Sequence, residues 1–85
     1  MVCPNCGGDY LHQERIEIFD GGEHRAKELH VVVDNSEITV NTNMTGNPSA
    51  RRHGLKISFR CEECEQVSVL SFAQHKGITL VDVTI

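Results

Sequence analysis

Apolar and polar residues alternate along most of this chain with a period of two, and no stretch places its apolar positions at the three-and-four spacing of an amphipathic helix. Tyr10 to Phe19 is polar in its first half and then sets Ile16 and Ile18 on one face, which predicts a strand. The cluster Asp20-Gly21-Gly22-Glu23-His24 predicts a turn, and after it Leu29, Val31 and Val33 alternate with His30, Val32 and Asp34. Asp34-Asn35-Ser36-Glu37 reverses the chain into Ile38 to Met44, with Ile38 opposite Val33 and Val40 opposite Val31, so a three-stranded meander is expected. On that meander His30 is expected opposite Glu17 on the polar face.

Thr45 to Gly54 has loop chemistry, with Pro48 among small polar residues and glycines near both ends. Leu55, Ile57 and Phe59 then alternate with Lys56, Ser58 and Arg60 and run directly into Cys61. If Cys61 to Glu65 forms a hairpin turn, Val67 and Val69 return across from Phe59 and Ile57. Ala73-Gln74-His75-Lys76-Gly77 predicts a last turn before the β-branched run Ile78 to Ile85. The expected fold is all-β and antiparallel, a single domain over residues 1–85.

Composition adds a constraint that the pattern does not. With 85 residues, 9.5 kDa and 39% apolar residues, the core is thin, and chains of this size often rely on a metal or on disulfides. There is no apolar run of membrane-spanning length, and Met1-Val2-Cys3-Pro4 lacks the basic and apolar segments of a secretory leader, so a reducing, cytoplasmic setting is expected. Twelve acidic residues against eight basic ones give a net charge of −4, which opposes binding to a polyanion. The local exception is Arg51, Arg52, His53, Lys56 and Arg60, read first as a solvated loop and strand face and second as a nucleic-acid contact.

Four cysteines carry the chemistry. They form two pairs, Cys3-Pro4-Asn5-Cys6 and Cys61-Glu62-Glu63-Cys64, separated by 54 residues. Two residues between sulfurs is the spacing of a metal knuckle, in which both thiolates face one ion while backbone N–H groups stabilise their charge. Gly7 follows the first pair, where the turn favours a conformation open to glycine, whereas Glu65 stands at the matching position of the second pair and makes that turn less ideal. Disulfides are disfavoured in a reducing compartment. A thioredoxin-like motif needs a strand before its first cysteine, and only two residues precede Cys3. Zinc is the expected cofactor, and a rubredoxin-type iron in the same sulfurs stays open. Four thiolates leave a tetrahedral ion no vacant position, so its expected role is structural.

Cys-Pro-x-Cys-Gly near the start and Cys-x-x-Cys on a later hairpin resemble a zinc ribbon. The resemblance covers the two knuckles and the hairpin from Leu55 to Phe72, and it implies that the strands between the knuckles are an insertion enlarging the sheet. The stretch Gln74-His75-Lys76-Gly77-Ile78-Thr79 is also similar to a His-Lys-Gly-x-Thr segment of small zinc-ribbon proteins of bacteria and their phages, which have no assigned function.

No other motif for catalysis emerges. His12, His24, His30, His53 and His75 have no ligand spacing among themselves, and Glu62, Glu63 and Glu65 are expected to form a solvated rim. His75 and Lys76 sit in a turn that either contacts a ligand or partner or is simply polar surface. The expected function is therefore a noncatalytic structural-zinc module that binds protein. Nucleic-acid binding through Arg51 to Arg60 and iron electron transfer are the alternatives. Pairing of two copies along the edge strand Ile78 to Ile85 offers a homodimer.

Overall fold

A computed structural model describes residues 1–21, 28–50 and 52–85. Six antiparallel strands, β1 (Leu11–Asp20), β2 (Leu29–Asp34), β3 (Glu37–Asn41), β4 (Gly54–Cys61), β5 (Val67–His75) and β6 (Ile78–Thr84), form one sheet in the order β3-β2-β1-β4-β5-β6. Among the described residues there is no helix. In consequence none is long and apolar enough to cross a membrane.

Two of the strand connections are as short as hairpins allow. Asn35 and Ser36 (φ 50° and 65°) join β2 to β3, and Lys76 and Gly77 (φ 49° and 82°) join β5 to β6. Positive φ at both central residues gives a turn whose twist matches that of the flanking strands. The meander forms with Val33 opposite Ile38 and Val31 opposite Val40, as the alternation predicts, although β3 ends at Asn41 rather than Met44.

Two register expectations are corrected. Phe59 pairs with Ser68 and Ile57 with Leu70, while Val67 and Val69 pair with Arg60 and Ser58. The second knuckle takes six residues rather than five, because the Cys61 N–H reaches the Gln66 carbonyl at 3.1 Å. That one-residue slip moves every β5 side chain to the other face. His30 pairs with Phe19 rather than Glu17, and it is buried. Its ring stacks on Phe19 with centroids 4.3 Å apart, Nε2 lies 3.0 Å from Glu17 Oε1 and Nδ1 lies 3.1 Å from Asn41 Oδ1. Both ring nitrogens thus have a polar partner, as buried polar groups generally do.

The corrected register separates the faces. One face collects Leu29, Val31 and Val33, Ile38 and Val40, Ile16 and Ile18, Leu55, Ile57 and Phe59, Leu70 and Phe72, and Val81 and Val83. Phe19, His30, Glu17 and Lys56 lie on the other. There the loop from Met44 to His53 folds over Phe19, leaving it 1% exposed. Ser49 Oγ donates to the Gln74 carbonyl at 2.8 Å, and the Gln74 N–H donates to the His53 carbonyl at 3.0 Å. The loop crosses Gly54 so closely that a Cβ there would overlap Asn47 and lie 2.8 Å from Pro48 Cδ. Glycine is required at that crossing.

Candidate metal centre

The pairing of β1 with β4 builds the site. Leu11, the first residue of β1, lies opposite Cys61, the last of β4, so everything before β1 is delivered to the tip of the β4–β5 hairpin. The Glu62 N–H donates to the Tyr10 carbonyl at 3.0 Å and fixes the approach. Cys3, Cys6, Cys61 and Cys64 thereby bring their four sulfurs within 4.8 Å of one another. The Cys3 and Cys64 sulfurs are 3.6 Å apart, those of Cys6 and Cys61 3.5 Å. A tetrahedral ion with sulfur bonds of about 2.3 Å needs sulfur separations of roughly 3.8 Å. These are metal-ligand distances, well beyond the roughly 2.05 Å of a disulfide, and the cysteines are free.

Two knuckles unlike in sequence share one backbone. The Cys3 N–H donates to the Gly8 carbonyl (2.8 Å) and the Gly7 N–H to the Cys3 carbonyl (2.9 Å). In the second knuckle the Cys61 N–H donates to the Gln66 carbonyl (3.1 Å) and the Glu65 N–H to the Cys61 carbonyl (3.0 Å). Gly7 and Glu65 both adopt positive φ, 78° and 60°. Glu65 accepts this conformation at a cost of order 1 kcal/mol that glycine avoids. In each pair the first cysteine, Cys3 or Cys61, is buried and the second is more exposed.

The thiols are not equivalent. Asn5 Nδ2 donates to Cys64 Sγ at 3.5 Å, and with the Gln66 backbone N–H it lowers this thiol from its ordinary 9.0 to about 6. At Cys6 the Gly8 backbone N–H favours the thiolate, but hydrogen bonding with the Cys61 and Cys64 sulfurs outweighs it and pushes the thiol up to about 12. Without a cation the cluster favours one thiolate that shares its neighbours' protons, since like charges this close oppose further ionisation. A divalent ion removes that opposition and displaces the remaining protons. Asn5 and Gly8 are the contributors that the cysteine spacing alone does not reveal. A Cβ on Gly8 would lie 2.9 Å from the Glu63 carboxylate and 3.4 Å from Cys6 Sγ.

The other candidate residues lie apart from the sulfurs. Glu62 is exposed and 3.6 Å from His12, and Glu63 and Glu65 are exposed as expected of a rim. Lys56 Nζ sits 3.7 Å from Glu17 and donates to the Gly46 carbonyl at 3.3 Å, while Arg60 Nε is 2.7 Å from Glu14. Arg52 is held in the loop through its backbone, accepting from Asn47 Nδ2 and donating to Ser49 Oγ. Arg51 and His24 lie outside the described residues. His75 and Lys76 are exposed at the β5–β6 turn, at the end of β5 away from the metal centre. Among the described residues the four cysteines are the one cluster with ligand geometry. No family model matches the chain, and neither curated proteins nor solved structures give a match to it.

Proposed function

We propose that this chain is a noncatalytic module in which one zinc ion on Cys3, Cys6, Cys61 and Cys64 holds the fold and the sheet surface receives another protein. The observation that carries the reading is the convergence of the four sulfurs within 4.8 Å. Four thiolates complete a tetrahedral shell, and an ion without an open position neither activates water nor binds substrate. The ion instead joins the beginning of the chain to the hairpin tip, as a zinc ribbon does.

The charge balance supports a protein partner over nucleic acid. The chain carries −4, and Lys56 and Arg60, which would have to meet phosphates, already face Glu17 and Glu14. Four unpaired thiols fit a reducing compartment, and the reading assigns the protein to the cytoplasm. Elemental analysis together with titration against DNA and RNA tests it. One zinc per chain in a colourless sample, with no nucleic-acid binding at about 50 mM salt, is expected. A red, redox-active iron centre replaces zinc with electron transfer, and salt-dependent binding to either nucleic acid replaces the protein partner.

A further inference from the structure

A single sheet with an apolar face cannot bury that face by itself. At its centre Ile16, Ile57, Leu70 and Phe72 are only half-buried, Ile18 on the central strand β1 is 44% exposed, and toward the edges Ile38, Val81 and Val83 are 72%, 59% and 41% exposed. The loop that shelters Phe19 lies on the opposite face. Asp20 is the charged strand residue on the apolar face; it stands at the end of β1 and is 3.0 Å from His53.

The area involved is that of an interface. A folded monomer of 9.5 kDa is expected to expose about 5,000 Å², whereas this chain exposes 5823 Å². The excess is roughly 800 Å², the share that each partner contributes to a standard stable complex. Strand geometry gives a similar figure. Six strands at about 4.8 Å spacing, each running about 17–33 Å, present a face on the order of 600–800 Å².

We propose that a second copy of this chain covers the apolar face, so that two sheets stack across a two-fold axis into a β-sandwich with a shared core. This deepens the protein-binding reading and rests on it. A second copy fits because an isologous interface must be self-complementary, and a broad face of Val, Ile, Leu and Phe side chains with no charge at its centre meets that requirement. With its one strand charge at the margin, the face also supplies little steering for a partner of opposite charge, and it lets two acidic chains meet without opposing like charges at the centre of the contact. Phe59 and Phe72, on neighbouring central strands, are the aromatic anchors of this interface. The contact differs from pairing along the β6 edge, which would leave both apolar faces open.

Sedimentation of the metal-loaded chain over a concentration series tests this, with Ile18→Lys and Val83→Lys as variants at positions already partly exposed. The expected result is a particle of twice the 9.5 kDa chain mass. Either substitution should raise its dissociation constant by more than about tenfold, because a lysine has no partner in an apolar interface. The tetrathiolate absorption of the cobalt-loaded variants should be unchanged, showing that they fold. A dimer insensitive to both substitutions but lost when Val81→Pro disrupts the β6 edge overturns the face-to-face assignment. A monomeric chain that forms a stoichiometric complex with a different protein through Ile18 and Val83 overturns the second copy while keeping the module reading. A monomer that binds no protein overturns both.

Discussion

One sheet presents two faces with opposite fates. On one, Phe19 lies between the Met44–His53 loop and the ring of His30, whose nitrogens meet Glu17 and Asn41. On the other, the apolar residues of all six strands have no second sheet or helix layered above them among the described residues. The covered part of the first face is a narrow patch around Phe19, closed by polar contacts as well as by an aromatic stack, while Ile78 and Leu80 on the same face stay exposed. The open face is wide and nearly uniform. A radius of gyration of 13.9 Å, against about 12 Å for a compact domain of this length, expresses the same imbalance. Cohesion on one side of a sheet is thin for a chain this small, and an ion held by the four cysteines at the sheet's end would add to it.

Removing the metal is the most severe way to test that division. Structural zinc contributes roughly 10–16 kcal/mol in small peptides, against about 5–15 kcal/mol of net stability for a domain. Chelation, or Cys61→Ala, should therefore abolish the cooperative unfolding transition seen by circular dichroism. A metal-free chain that melts cooperatively near the metal-loaded temperature would show that the covered face suffices.

Truncation on each face comes next. Phe19→Ala should cost about 3–5 kcal/mol, as expected for a fully enclosed ring. Val81→Ala, measured at concentrations where the chain is monomeric, should cost less than about 0.5 kcal/mol. Equal losses in urea titrations would erase the distinction between the faces.

The metal centre offers a subtler probe. Asn5→Ala removes a donor to Cys64 and should weaken metal affinity by about 10–100-fold, the usual effect of losing a group that supports a ligand. Because the Cys64 thiol lies below its ordinary 9.0, at about 6, its contribution is complete above the ordinary value and is lost as pH falls through about 6. Asn5→Ala should move acid-induced metal release to higher pH, read by a zinc-sensitive dye. Release at an unchanged pH would remove Asn5 from the site.

The smallest effects concern local strain. Glu65→Gly relaxes a positive φ and should stabilise the metal-loaded chain by about 0.5–1 kcal/mol. Ser68→Ala removes a fully buried hydroxyl with no hydrogen-bond partner and should stabilise by about 1 kcal/mol. Destabilisation by Ser68→Ala in thermal melts would point to a contact at that hydroxyl.

The cysteines were legible because a fixed spacing of two residues has few structural meanings, and the strands because Val, Ile and Leu recur at every second position. The β4–β5 register was not legible. It turned on whether Gln66 belongs to the knuckle or to the strand, which is decided by one backbone hydrogen bond to Cys61. The burial of His30 is hidden in the sequence for a different reason. Its polarity argues for solvent, and only the stack on Phe19 together with Glu17 and Asn41 makes burial tolerable. A bulge at Glu14, between the pairs Gln13–Phe59 and Arg15–Ser58, likewise has no signal in the alternation.

The most direct measurement is X-ray absorption at the edge of the bound metal in the purified chain. The account predicts one zinc per chain, surrounded by four sulfurs at about 2.3 Å. A shell containing nitrogen or oxygen, or a metal-free protein whose cysteines are joined as disulfides, would contradict it.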